Sequence, residues 1–213
     1  MMRRTAVVVL FLLAACRTTR PPNAEPLAPL TSTNPAEAAQ QLALRRSEFR
    51  GERSLIRVRL PQISGRGQLH VDSAGRMLMI VYTPLGTTGA RLYVDADQVI
   101  FLNDFQSTAW RGKASDLGGS LAAFGSSELP MLLIGLPAAG VNDITYAPAG
   151  IQSVRLSDVT VNYEPSAYPP KIVAIDREGQ HVEIEHLDSY VDAEAVKAPD
   201  IPRGYRCCVL PEM

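Results

Sequence analysis

Ile56-Arg57-Val58-Arg59-Leu60 alternates apolar and basic side chains, and Gly67-Gln68-Leu69-His70-Val71-Asp72 repeats the alternation after a short break. A period of two marks a strand with one buried face, because successive side chains leave the pleat on opposite sides. Asp72-Ser73-Ala74-Gly75 reads as a turn, and 76–83 as a strand that is apolar on both faces. The pattern continues over 91–95, 98–103 and 107–111, with short Asp- and Asn-containing turns between. Six strands joined by hairpins make an antiparallel meander. Strand patterns resume over 152–156, 160–164, 171–176 and 180–187, with Glu178-Gly179 as a hairpin turn.

Helical signals lie on either side of the first series. Thr33 and Asn34 can cap a helix whose first position suits Pro35, and Ala39, Leu42, Ala43, Arg46 and Phe49 share a stripe along 36–50. Ser115 or Asp116 can start a short helix to Phe124. Ser126 and Ser127 can start another over 128–134, ended by Gly135 and Pro137. The order helix, meander, two short helices, meander predicts a mainly β (α+β) fold: one large, strongly curved sheet with helices over its open face.

The chain of 213 residues suits one domain with tails. Its 46% hydrophobic and 20% charged residues argue against wholesale disorder or a coiled coil, and three cysteines against a disulfide-stapled miniprotein. With 21 Lys+Arg against 22 Asp+Glu, it has no general attraction to nucleic acid. Arg45, Arg46, Arg50, Arg53, Arg57 and Arg59 cluster, which reads as a solvated helix end and strand face. Contact with an acidic partner or anionic headgroups is the alternative.

The N-terminus gives an address. Residues 1–15 read as a signal peptide: Arg3 and Arg4 precede a ten-residue apolar run, Ala6 to Ala15. Ten residues make about 15 Å of helix, roughly half a bilayer core, so this is no transmembrane span. Leu13-Ala14-Ala15-Cys16 resembles the bacterial lipobox, which implies acylation of Cys16 and anchoring in membrane lipid. Arg17 follows; in the lipoproteins that this segment resembles, an aspartate there favours retention in the inner membrane, so the resemblance implies the outer membrane, with the domain facing the periplasm. Residues 16–35 then form the acylated cysteine and a tether with five prolines, extended at about 3 Å per residue. The domain is expected over 36–195 and a poorly ordered tail over 196–213. In an oxidising compartment Cys207-Cys208 could form a vicinal bridge, an intermolecular link or nothing.

Catalytic chemistry is hard to find. His181 and His186 are five apart and point to opposite strand faces, while His181, Glu183 and Glu185 share a face as exposed charges would. His70 stands on another strand. No metal site, cofactor or familiar catalytic motif is read, Gly118-Gly119-Ser120 is read as a loose helix, and a non-enzyme is expected. Met77-Leu78-Met79-Ile80-Val81-Tyr82 and Val99-Ile100-Phe101-Leu102 present apolar groups to both sheet faces, so one face needs a second cover or an apolar ligand. Aromatics are only 6% of the chain, and methionines adapt to irregular spaces.

Thr83-Pro84-Leu85-Gly86-Thr87-Thr88 resembles the Asn-Pro-Leu-Gly-Ser-Thr loop of the LolB family, the outer-membrane receptors for lipoproteins. Leu129-Pro130-Met131-Leu132-Leu133-Ile134-Gly135-Leu136-Pro137 is similar to that family's Leu-Pro…Gly-x-Pro helix, and Val161-Asn162-Tyr163-Glu164 with Pro169-Pro170-Lys171-Ile172 to its late strands. The resemblance implies an incomplete antiparallel barrel with an apolar cavity for the acyl chains of client lipoproteins, received from a periplasmic lipoprotein carrier. On it, Leu69, Val71, Met77, Met79, Val81, Val99, Phe101 and Met131 are cavity-lining candidates, and Pro84, Leu85 and Gly86 form a membrane-insertion loop. The family's tryptophans in the early strands are missing, Trp110 being the only one. A lipoprotein of the same fold that scaffolds or senses without carrying lipid is the rival, with an interior filled by its own side chains. An envelope hydrolase, with a histidine beside a nucleophile, is the third reading.

Overall fold

The computed structural model describes residues 21, 23–60, 64–96, 98–113, 116, 128–138, 141, 143–156, 159–177 and 179–207. The expected signal segment, Cys16, Cys208, Glu178 and nearly all of the helix expected to Phe124 lie outside these residues.

The period-two sequence forms β1 (Gly51–Arg59) and β2 (Ser64–Asp72), followed by β3 (Met77–Tyr82), β4 (Thr88–Asp95), β5 (Gln98–Asn103) and β6 (Thr108–Lys113). Each pairs antiparallel with the next, as the hairpin reading requires. The second series is β7 (Ile144–Ala147), β8 (Gly150–Leu156), β9 (Val159–Glu164), β10 (Ile172–Arg177) and β11 (Gln180–Val191). Its first strand, four residues of mixed exposure, carries no clear alternation, which is why the sequence pattern passes over it. β11 returns to pair antiparallel with β1, with Ile56 opposite His186 and Val58 opposite Ile184. β1 is therefore the seam between the two meanders. A twelfth strand, β12 (Arg206–Cys207), pairs in parallel with Thr108 and Ala109 of β6.

The resulting order is β12-β6-β5-β4-β3-β2-β1-β11-β10-β9-β8-β7. Its two edge strands do not pair with each other, so the curved sheet stays open. Register shifts opposite Leu55/Ile56 of β1 and Val81/Tyr82 of β3 leave one extra residue on each partner strand, Leu187 on β11 and Gly89 on β4.

Helix α1 (Pro35–Ser47) starts as its sequence dictates. Asn34 is extended, its Oδ1 accepts the Glu37 N–H at 2.9 Å, and Pro35 takes the first turn where a missing N–H costs nothing. The helix buries Ala38 and Leu42 and packs against β7 and β8; Ala43, expected in the buried stripe, is exposed. The rotation follows from its arginines, since Arg45 donates to the Ala28 and Pro29 carbonyls and Arg46 to that of Leu136. Helix α2 (Leu129–Leu133) is wholly buried.

The inner sheet face is covered, and so is the outer face of β3 to β6. One carries the main core, including Ile56, Val58, Leu69, Met77, Leu92, Val161, Val173 and Ile184, packed with Leu30, Leu42 and α2. On the other, Tyr93, Ile100, Leu102 and Ala109 form a second cluster with Val196, and Leu78, Ile201 and Tyr205 pack around it. The second cover required by strands apolar on both faces is thus the chain's own segment 196–205.

That segment differs from the poorly ordered tail expected. Val196 N–H donates to Asp72 Oδ2 at 3.0 Å, Tyr205 Oη–H to Asp104 Oδ1 at 2.6 Å, and Arg206 N–H to the Ser107 carbonyl at 3.0 Å. Three apolar residues spaced along a polar stretch are too sparse to show a period, yet they suffice to dock it. The second half of the proline-rich segment likewise lies on the domain. Val191 N–H donates to the Glu25 carbonyl at 2.9 Å, Leu30 N–H to that of Tyr168 at 3.2 Å, and Leu30 is buried.

Candidate functional site

The inner face gathers the cavity-lining candidates. Leu69, Val71, Met77, Met79, Val99, Phe101 and Met131 are all buried members of one apolar cluster, and Val81 packs against it half-buried. They come together because positions two apart on β2 and β3 share a face, and the register sets Leu69 opposite Met79 and Val71 opposite Met77. Trp110 belongs to the same cluster.

Helix α2 is fixed over this face through carbonyls at and just beyond its C-terminal end, where a helix leaves acceptors for outside donors. Tyr163 Oη–H donates to the Leu132 carbonyl at 2.8 Å, and His186 Nε2–H to that of Leu133 at 3.0 Å. Arg46 donates to the Leu136 carbonyl just beyond. Elements β9, β11 and α1 thus hold one short helix at three points.

Beneath α2 lies a polar group that the sequence pattern does not announce. Ser54 Oγ–H donates to Glu52 Oε1 at 2.7 Å and lies 2.8 Å from Ser189 Oγ. His186 Nδ1 stands 3.9 Å from Glu52 Oε1. All three of Glu52, Ser54 and His186 are buried. Burial pushes the Glu52 carboxyl up to about 7 against the lowering effect of the Ser54 and Ser189 hydroxyls. Burial likewise pushes the His186 imidazole down to about 4, opposed by its bond to the Leu133 carbonyl. Between about pH 4 and 7 the interior therefore holds a protonated carboxyl facing a neutral imidazole. The serine hydroxyl is bonded to the carboxyl, not to the imidazole, so this is not a nucleophile–base pair.

Extending the alternation of Ile56 and Val58 back by two and four residues would have placed Ser54 and Glu52 on the inner face. The opposite facing of His181 and His186 does hold. His181 is exposed beside Asp176 at 2.7 Å, and His186 is buried. The remaining charges of β1 and β11 pair across strands, Arg57 with Glu185 at 2.5 Å and Arg59 with Glu183. Arg53 pairs with Asp192 at 2.7 Å. Most of the arginine cluster is thus used within the fold.

The Pro84-Leu85-Gly86 loop joins β3 to β4. Gly86 N–H donates to the Thr83 carbonyl at 2.9 Å and Thr83 N–H to that of Thr87 at 2.8 Å, closing a tight turn. Gly86 adopts φ +81°, a left-handed conformation that glycine takes without steric cost. Leu85 is left 91% exposed at the tip. Elsewhere, a cleft of about 850 Å³ lies between the 25–30 segment and α1, lined by Leu44, Arg45, Phe49 and Tyr168 among others. Arg45 stacks over the Tyr168 ring there, 4.8 Å from its centroid. None of the cavity-lining candidates borders this cleft.

No protein-family model and no curated protein matches the chain. Solved structures with similar backbones include an uncharacterized conserved protein from Thermus thermophilus, with 8% identity, TM-score 0.44, and coverage of 81% of this chain and 97% of that one. A LolA superfamily protein from Nitrosomonas europaea has 13% identity and TM-score 0.39, covering 73% and 94%. A DUF1329 family protein from Desulfovibrio piger has 9% identity and TM-score 0.45, covering 77% and 96%.

Proposed function

We propose that this protein is an outer-membrane lipoprotein that receives the acyl chains of client lipoproteins on its apolar inner face and releases them into the bilayer. The observation that carries the reading is Leu85. A large apolar side chain stands almost fully in solvent on a rigid turn, where folding alone gives it no reason to be leucine. The resemblance to a lipobox at Cys16 supports a membrane setting, and the large apolar cluster of the inner face supports a lipidic ligand. No covalent step is needed. Acyl chains would move from a soluble carrier to the inner face and then to the membrane, down a gradient of apolar burial.

A chain lacking residues 1–16, loaded with an environment-sensitive apolar dye, tests this. Saturable displacement by a triacylated lipopeptide, and not by its deacylated form, is expected. Equal behaviour of the two peptides would end the carrier reading. The scaffold reading is favoured by one observation: seven of the eight cavity-lining candidates are already buried in the protein's own packing.

A further inference from the structure

The structure carries a second exposed apolar tip that neither the sequence pattern nor the LolB resemblance singles out. Phe105, in the β5–β6 loop, is 85% exposed. Since β3 and β5 run in one direction and β4 and β6 in the other, the β3–β4 and β5–β6 loops lie at the same end of the sheet. They are tied together. The Gly89 carbonyl accepts the Asp104 N–H at 2.9 Å and the Phe105 N–H at 3.3 Å. Gly89 is four residues from Leu85, at most about 14 Å of chain.

The two loops themselves carry little charge, and the exposed side chains beside them are cationic: Arg66 of β2, next to the end of β3, and Arg206, against Ser107 and Thr108. In 82–88 and 103–108 the side chains are Tyr, Thr, Pro, Leu, Asn, Phe, Gln and Ser, and the one charged residue is Asp104. Its carboxylate is engaged by Arg91 through Nε at 3.0 Å and Nη2 at 2.5 Å, and by the Tyr205 hydroxyl at 2.6 Å. Tyr82 and Tyr205 stand at the bases of the two loops, where amphipathic rings would meet headgroups. Two apolar points over polar loops, with a tyrosine base and flanking arginines, match the layering of a bilayer interface with anionic headgroups. A protein partner would ordinarily meet a broader apolar patch rimmed by charge.

We propose that Leu85 and Phe105 together form a two-point membrane-docking edge, with Phe105 entering the phospholipid interface beside the Leu85 loop. The proposal rests on the membrane-facing role given above to Leu85 and extends it to a second loop and to the orientation of the whole sheet. With both tips inserted, β3 to β6 stand upright on the membrane, and the β2–β3 turn at Ser73 points away.

The test uses the full chain reconstituted into phosphatidylethanolamine–phosphatidylglycerol vesicles whose acyl chains carry bromine, which quenches nearby tryptophan. Phe105→Trp, Leu85→Trp and Ser73→Trp are compared with the parent, whose buried Trp110 gives a common background. Phe105→Trp and Leu85→Trp are expected to lose most of their added emission, and Ser73→Trp to keep it. Quenching of Leu85→Trp without Phe105→Trp overturns the two-point edge and leaves the proposed function standing. Equal quenching of Ser73→Trp, or quenching of neither tip, also overturns it. Quenching of both tips in a protein that fails the lipopeptide displacement test upholds the docking edge and removes the carrier reading.

Discussion

His186 Nδ1 and Glu52 Oε1 face each other at 3.9 Å inside the domain. Nδ1 and the other carboxyl oxygen, Oε2, have no hydrogen-bond partner among the described residues. Because His186 Nε2–H is committed to the Leu133 carbonyl, Nδ1 carries a lone pair toward the carboxyl. Folding therefore moves a proton: between about pH 4.5 and 6.5 it resides on Glu52 in the native chain and on the histidine in the unfolded one.

This fixes the pH dependence of stability. Glu52, raised to about 7, contributes stability below pH 4.5 that is lost as pH rises through 7. His186, lowered to about 4, contributes stability above pH 6.5 that is lost as pH falls through 4. The two slopes oppose, so the pair contributes almost no net pH dependence between them. Glu52→Gln is expected to gain about 3 kcal/mol relative to the parent between pH 4.5 and 7, measured by urea unfolding. A difference that stays constant over that range would show the carboxyl to be ionised in the fold.

Ten of the twelve strands, the hairpin order and the capped start of α1 were legible because each is a local matter of period, turn chemistry and side-chain reach. What the sequence pattern misses is decided by distant packing. Glu52 and Ser54 fit the inward register of β1, but their polarity disguises it. Val196, Ile201 and Tyr205 become a cover only when β4 and β5 turn apolar groups outward. Leu85 is readable from its place between Pro84 and Gly86. Phe105 is not, because nothing in Asp104-Phe105-Gln106 tells an exposed aromatic from one folded onto the sheet.

The loop around Leu85 makes a prediction in two parts. Leu85→Glu, at an exposed tip, is expected to change stability by less than about 0.5 kcal/mol. Lipopeptide binding should persist while its release into vesicles falls. Gly86→Ala meets no atom within 4 Å but must adopt φ +81°, so it should cost about 1 kcal/mol through backbone strain alone. Loss of binding in Leu85→Glu would assign Leu85 to the ligand site instead.

Asp72 is expected to control the tail. Burial alone would raise its carboxyl, yet the Arg76 side chain and the N–H groups of Val196, Arg76 and Ala74 together hold it below the ordinary aspartate range. Its contribution is therefore present at neutral pH and fades as pH falls through its folded value. Asp72→Ala should loosen the Val196 contact and expose Tyr93, Ile100 and Leu102. Limited proteolysis should cut earlier within 197–205, with a parallel rise in apolar-dye binding. Unchanged cleavage would mean that Tyr205 and β12 hold the tail without Asp72.

The fixing of α2 can be tested one bond at a time. Tyr163 is fully packed, and its hydroxyl has one partner to satisfy, the Leu132 carbonyl at 2.8 Å. Tyr163→Phe keeps the ring and removes one donor from that carbonyl, which still accepts the Ile134 and Gly135 N–H groups, so the loss should be about 0.5–1.5 kcal/mol by urea unfolding. Arg46→Ala removes the donor to Leu136, at a more accessible position, and should cost less. Because both act on the same short segment, Leu132 and Leu136 being one turn apart, the double variant should fall short of the sum of the two single losses. Additive losses would show that α2 is held by its apolar contacts, with each carbonyl bond acting alone.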